Sequence, residues 1–412
     1  MKVIVIGGGA AGMMAAVTSA KEGNSVTLIE KTSSLGNKIK ITGKGRCNVT
    51  FDGDIDDFKR NIIRNNKFMY SSFMNFSNRD TVEYFNMLGV DTKVERGARI
   101  FPVSDKATDI VNALKNDLKR HNVDVILNTA LKDLIIEDNI VKGIVTNNDI
   151  KMYADKVILC TGGISYKNTG SSGECFNILK KYGHNIIDLK GGLVPLTSKD
   201  EVCKKLQGLT LRNVGFKIVV EGKEIYNSFG EMLFAHFGIT GPIVLSGSSI
   251  LNRIENVNEK LELDKVYGAI DLKPALSMEV LDKRIQRDFE KYMNKEFKNG
   301  LVDLLPQKLI PVIVEKSDIN PDKKIHQVTK QERLKLLDLI KNFKVNIKGF
   351  MPTDIAIITC GGVDVKQINP KTMESKVIKN LYLAGEVIDV DALTGGFNLQ
   401  IAFSTAVAAG KN

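Results

Sequence analysis

Apolar positions along the chain change period several times, and each change marks a predicted boundary. Val3-Ile4-Val5-Ile6 is continuously apolar, as a strand buried on both faces requires, whereas residues 10–22 carry apolar side chains at helical spacing and residues 25–30 return to a strand pattern. Helical patterns follow over 57–66, 79–88 and 106–121. Short strands then read at 124–127, 131–136, 141–146 and 156–160, which suits a three-strand meander inserted before a return strand. From 193 to 271 apolar and polar residues alternate between glycine turns, predicting a β-rich region. Apolar spacing of i, i+3, i+4 over 277–297, 301–315 and 329–343 predicts a helical insert. The chain ends with strands at 356–359 and 380–384 and a helix over 399–409.

The expected fold class is α/β: a Rossmann-like split nucleotide-binding domain, with a β-rich insert domain and a small helical insert. Its boundaries read as 1–190 and 346–412 for the nucleotide-binding domain, 191–272 and 336–345 for the β-rich insert, and 273–335 for the helical insert. A length of 412 residues is consistent with two or three such cores.

The opening β-α-β pattern encloses Gly7-Gly8-Gly9-Ala10-Ala11-Gly12, which fits G-x-G-x-x-G. Glycines there permit a tight turn and close approach of backbone to a pyrophosphate, and the following helix presents free N–H groups and a partial positive charge. Glu30 ends the second strand 18 residues past Gly12, where a carboxylate can accept from a ribose 2′-hydroxyl and disfavours a 2′-phosphate. The resident nucleotide is therefore expected to be FAD or NAD. Two later strands favour FAD: one runs into Thr161-Gly162-Gly163, and the other into Gly385-Glu386, whose carboxylate suits ribityl hydroxyls. Beyond it, Asp389 to Gln400 form a glycine-bearing loop entering the last helix, whose N-terminal dipole could stabilise a reduced flavin. A donor-rich loop at 38–48 lies close behind the β-α-β unit. The residues expected to hold non-covalent FAD are Gly7, Gly9, Ala10, Ala11, Gly12, Glu30, Lys31, Lys38, Gly45, Arg46, Cys47, Asn48, Ala130, Thr161, Gly162, Gly385, Glu386, Asp391, Gly396, Asn398, Leu399 and Gln400.

Composition narrows the setting. Hydrophobic residues at 43% and charged residues at 26% are ordinary for a globular enzyme, and no window offers the ~18 uninterrupted apolar residues of a membrane span. Five scattered cysteines without a C-x-x-C fit a reducing cytoplasm and no metal cluster. The net charge of +10 is spread along the chain, so a nucleic-acid partner is not expected; the oligomeric state is not legible.

Together G-G-G-A-A-G at 7–12, T-G-K-G-R-C-N at 42–48, G-E-M-L-F-A-H-F-G-I-T-G-P at 230–242, T-M-E-S-K at 372–376 and G-E-V-I-D-V-D-A-L-T-G-G-F-N-L-Q at 385–400 resemble the aminoacetone-oxidase-like family of bacterial FAD-binding oxidoreductases over essentially the whole chain. The sequence departs from that pattern at Lys44 and Ala392, where the family usually has glycine. The resemblance implies the three-domain plan and, through a family member that reduces dehydro-bile acids, hydride transfer from flavin to an activated C=C bond. It also singles out His236 as a candidate active-site donor. No second G-x-G-x-x-G is present, so NAD(P)H or another electron donor would have to reach the flavin transiently. Oxidation of a small amine and RNA modification are the alternative activities.

Overall fold

The computed structural model describes residues 1–412, which divide into two compact units: Met1–Gly192 with Pro352–Asn412, and Leu193–Met351.

The first unit is built on a five-stranded parallel sheet in the order Leu381–Leu383, Lys156–Leu159, Lys2–Ile6, Ser25–Ile29, Asp124–Ile126. Its central strand explains its own sequence. Val3 to Ile6 are all buried, because helices cover a parallel sheet on both faces and no position along the strand meets water. The first helix, Ala10–Lys21, and the last, Phe397–Lys411, pack together so closely that a Cβ on Gly410 would lie 2.7 Å from the Ala15 carbonyl oxygen. Both helices are apolar on nearly every side, the mark of burial rather than of one wetted face.

The meander forms one strand later than expected. It comprises Leu131–Glu137, Ile140–Thr146 and Lys151–Tyr153, while Asp124–Ile126 joins the parallel sheet as its edge. The helix expected over 57–66 stops at Asn61, and Ile62–Arg64 becomes a strand against Asp391–Ala392. The two chain segments of this unit are tied by Ile186–Gly192 pairing antiparallel with Ile358–Val363.

The second unit carries a seven-stranded antiparallel sheet ordered Phe343–Asn346, Val266–Asp271, Thr210–Val220, Lys223–Ala235, Gly238–Thr240, Leu196–Thr197, Gly349–Phe350. The alternation in the sequence becomes an inward Phe216-Ile218-Val220 face. The Leu196↔Phe350 pairing holds residues 346–351 in this unit, moving its end beyond the expected 345. The helices Met278–Lys291, Ile310–Lys316 and Lys330–Lys341 do not separate as a third domain. Leu281, Ile285, Leu336 and Ile340 share one continuous core with Phe216, Phe234 and Phe343 of the sheet. The helix expected over 301–315 begins only at Ile310, and the apolar stretch 242–251 is helical. No helix is long and apolar enough to cross a membrane.

Candidate functional site

The turn after the first strand has no freedom to carry side chains. Gly7 has φ +100°, and a Cβ there would sit 2.5 Å from the Cys160 carbonyl oxygen; a Cβ on Gly12 would overlap the Gly7 carbonyl. Gly9 is different, with nothing within 4 Å of where a Cβ would be. The open position lies at the N-cap of the first helix, where no side chain caps the free N–H groups, leaving them available to an anion.

Glu30 is buried beside this turn. Its Oε2 accepts the Gly8 N–H at 2.6 Å, and its Oε1 accepts both the Thr32 N–H at 2.8 Å and the Thr32 hydroxyl at 2.7 Å. A carboxylate has about four acceptor positions, so capacity remains for a ribose hydroxyl. Lys31 reaches the Ser172 hydroxyl and lies 3.4 Å from Glu174, bringing the loop that follows Gly170 onto the same corner.

A second polar cluster forms where the return strands end. Lys38 Nζ donates to Glu386 Oε2 at 2.7 Å and to Ser165 Oγ at 2.7 Å, while Glu386 Oε1 accepts the Ser165 hydroxyl at 2.8 Å and the Thr359 N–H at 2.7 Å. Burial pushes the Glu386 carboxyl up, but the Lys38 ammonium and these hydrogen bonds outweigh it and hold the group below its usual range. The sequence pointed to Lys38 and Glu386 but missed Ser165 and Thr359. Ser165 stands only two residues past the T-G-G turn, a signal that was readable; Thr359 reaches the cluster through tertiary packing alone. Gly385 backs onto the first helix, 2.8 Å from the Ala11 Cβ when given a Cβ of its own, and its N–H donates to Thr405 at 2.9 Å.

The loop at 42–48 runs from this cluster to the start of the last helix. Cys47 is fully buried and its thiol is pushed up to about 12 by desolvation, which rules it out as a thiolate nucleophile. Asn48 Oδ1 is buried with no hydrogen-bond partner. Such an orphaned acceptor calls for a donor from a bound group. Thr50, two residues on, places its backbone against Gly396, where a Cβ would collide with the Thr50 carbonyl. The residues thus fit a flavin dinucleotide at three places: the open Gly9 position, the one spare acceptor position of Glu30 and the orphaned Asn48 oxygen.

Several expected ligands have other duties. Arg46 is held by Glu95 and by Asp105 and stacks over the Phe101 ring at 4.2 Å, so its charge is spent on a surface ion-pair cluster. Gln400 is wholly buried. Its Oε1 accepts from Thr50 at 2.6 Å and Thr81 at 2.8 Å, and its Nε2 donates to the Phe76 carbonyl at 3.1 Å and Ser404 at 3.0 Å, leaving nothing for a cofactor. Asn398 clamps its own loop through Ala392 N–H and C=O. The Ala130 N–H donates to Asn147, whose own N–H returns to the Ala130 carbonyl, so both backbone groups are paired. Asp391 is buried with the Cys360 thiol 3.6 Å away. Its neighbour Asp389 is pushed up by burial against the pull of Arg64, 2.6 Å distant. Thr161 and Gly162 lie at the end of the return strand beside Gly7, and Leu399 lies in the first turn of the last helix. His236 sits exposed in the turn between Lys223–Ala235 and Gly238–Thr240, in the second unit, and no hydrogen bond or ion pair orients its ring.

The chain matches the family model described as the HI0933-like protein Rossmann domain across residues 1–412. It is 28% identical over 422 residues to the 3-dehydro-bile acid delta(4,6)-reductase of Clostridium scindens, covering 100% of this chain and 98% of that protein. It is 30% identical over 410 residues to the ribosomal RNA dihydrouridine synthase of Haemophilus influenzae, covering 98% and 96%. Among solved structures, a 3-ketosteroid delta1-dehydrogenase from Sterolibacterium denitrificans superposes with a TM-score of 0.54 at 13% identity over 99% of this chain and 98% of that one, a likeness of fold. The chain belongs to the HI0933-like Rossmann-domain family, and with it to the flavoprotein oxidoreductases.

Proposed function

We propose that the protein is an FAD-dependent reductase of a carbon–carbon double bond conjugated with a carbonyl group, with electrons from NAD(P)H or another donor that reaches the flavin transiently. The observation that carries this reading is similarity over the full chain to two relatives whose names share one chemistry. A delta(4,6)-reductase saturates a conjugated enone, and dihydrouridine is uridine whose ring double bond, conjugated with a carbonyl, has been saturated. FAD, when bound, supplies the hydride for such a step.

The chain's own residues have the remaining work. The Gly7–Gly12 turn and the uncapped first helix would receive the pyrophosphate, and Glu30 a ribose hydroxyl. Glu386, kept ionised by Lys38, would orient the ribityl chain. The last helix points its N-terminal N–H groups out of a turn whose Gly396 has φ +95° and no side-chain cap, and such an end favours negative charge on a bound ring.

The bile-acid-like enone is the first substrate reading. The uracil ring of an RNA is the second, supported by the dihydrouridine synthase relatives and consistent with a net charge of +10. The deciding experiment is anaerobic photoreduction of the purified flavoprotein, with reoxidation followed by absorbance in the presence of a 3-keto-4-ene bile acid, a uridine-containing RNA, fumarate or oxygen. Fast reoxidation by the enone supports the first reading, and by RNA the second. Fast reoxidation by oxygen alone, with peroxide release, points instead to an oxidase such as one acting on a small amine. A protein that cannot be loaded with FAD removes the reading altogether.

A further inference from the structure

Four of the six residues from 43 to 48 have positive φ: Gly43 at 56°, Lys44 at 59°, Gly45 at 83° and Cys47 at 60°. Left-handed backbone brings the Cβ of an L-residue against its own carbonyl, a strain glycine does not feel. Asparagine and aspartate account for most of the other left-handed residues that are not glycine, and their short polar side chains tolerate that region. Cys47 has a compensation, because its side chain is completely buried in the core. Lys44 has none of this kind, for its side chain is exposed.

Its charge is unusual as well. Every other cation of this segment is engaged: Lys38 with Glu386 and Ser165, Lys40 with Ser34 at 2.8 Å and Asn37 at 3.2 Å, Arg46 with Glu95 and Asp105. The Lys44 ammonium alone makes no hydrogen bond, ion pair or ring contact. Four residues further along stands the orphaned Asn48 oxygen, and two beyond that Thr50 abuts Gly396 at the start of the last helix. A strained backbone thus holds an unpaired cation on the loop that leads into the cofactor cradle. Strain of this sort persists where it serves binding or catalysis.

We propose that Lys44 is a specificity-determining residue, whose ammonium holds an anionic oxygen group, a carboxylate or a phosphate, carried by the substrate apart from its reducible double bond. This rests on the reductase reading above. The carboxylate would belong to an acidic enone such as a bile acid, and the phosphate to a nucleotide or RNA.

The test uses FAD-loaded wild type, Lys44→Met, Lys44→Arg and Lys44→Gly. For a 3-keto-4-ene bile acid, Lys44→Met should lower kcat/KM about tenfold through KM, the effect of one lost charge-assisted contact, while the methyl ester is reduced as before and Lys44→Arg recovers the activity. If the anion is phosphate, the selective loss appears instead between oligouridylate and free uridine, with the salt slope of binding reduced by about 1. Equal losses on charged and neutral partners, or no loss on any, overturn the proposal. If wild type reduces neither class, the reductase reading fails, and the bile acid and uridine monophosphate are titrated against the flavin absorbance spectrum. An unchanged Kd in Lys44→Met then overturns the role of Lys44, and a Kd raised about tenfold sustains it. Lys44→Gly should also raise Tm by about 2 °C over Lys44→Met, as relief of left-handed strain requires. No rise would overturn the premise of strain.

Discussion

Two loops border the proposed cofactor cradle, and they obey different rules. In the first, residues 7–12, glycine is required by neighbouring backbone: side chains at Gly7 and Gly12 would run into carbonyl groups of the return strand and of the turn itself. In the second, residues 42–48, space is tight at Gly43, whose Cβ would meet the Asn48 nitrogen at 3.2 Å, and free at Gly45. A Cβ on Gly45 would find only the Lys40 carbonyl oxygen, 3.9 Å away, and the constraint is the left-handed backbone alone. The first loop is shaped by what surrounds it. The second is shaped by its anchors: Lys38 to Glu386 at its entry and Thr50 to Gln400 at its exit. At Gly7 and Gly12 the first loop admits almost no substitution, whereas the second can carry a charged residue at Lys44.

The sharpest way to break this comparison is Gly12→Ala. A methyl there overlaps the Gly7 carbonyl, whose peptide unit is fixed by the Gly8 N–H donating to Glu30 Oε2 at 2.6 Å, so neither side can yield. We expect a loss of about 3 kcal/mol in urea unfolding and purification without bound flavin. A stable yellow protein would show that the first loop is softer than its geometry implies.

The exit anchor should give the next largest effect. Gln400→Leu leaves the buried Thr50 hydroxyl without its acceptor and Thr81 with only the Ser77 carbonyl at 3.1 Å, and we expect a loss of about 2 kcal/mol with the flavin Kd nearly unchanged. A selective rise in the flavin Kd would restore Gln400 as a ligand. The entry anchor is tested by pH. Because the Glu386 carboxyl is held below its ordinary value in the folded protein, its contribution is complete above the usual carboxylate range and is lost as pH falls through the folded value. The urea midpoint of wild type should therefore decline on acidification more than that of Glu386→Gln. Identical pH profiles would mean that the Lys38 pair contributes nothing to stability.

Legibility followed the same division. The glycine turn and Glu30 could be read because their spacing along the chain is itself the geometry, and the parallel sheet because its strands are apolar throughout. Gln400, Asn398 and Arg46 were read as ligands because the motif places them near glycines. The side-chain partners of Asn398 lie in its own loop, but those of the other two lie elsewhere: Thr50 and Thr81 are more than 300 positions from Gln400, and Glu95 and Asp105 stand at the end of the strand Thr92–Glu95 and just after its hairpin partner Arg99–Pro102. Ser165 and Thr359 were missed for the converse reason, since short hydroxyl side chains carry no pattern until tertiary structure brings them to a carboxylate. The helices at 278–341 show amphipathic spacing whether they form their own core or share that of the sheet, so period alone could not decide their domain.

The smallest expected effect separates sterics from dihedral strain most cleanly. Gly45→Ala meets no atom closer than 3.9 Å, so the whole cost must come from holding alanine at φ +83°, about 1 kcal/mol. The flavin should stay bound, since the anchors on either side are untouched. Set beside Gly12→Ala, the same chemical change would then differ about threefold in cost, and the difference would measure how much of the first loop's rigidity is collision and how much is backbone angle. If Gly45→Ala proves as damaging as Gly12→Ala and also releases flavin, the second loop must be pressed against the cofactor at that position, and its freedom to vary would be confined to Lys44.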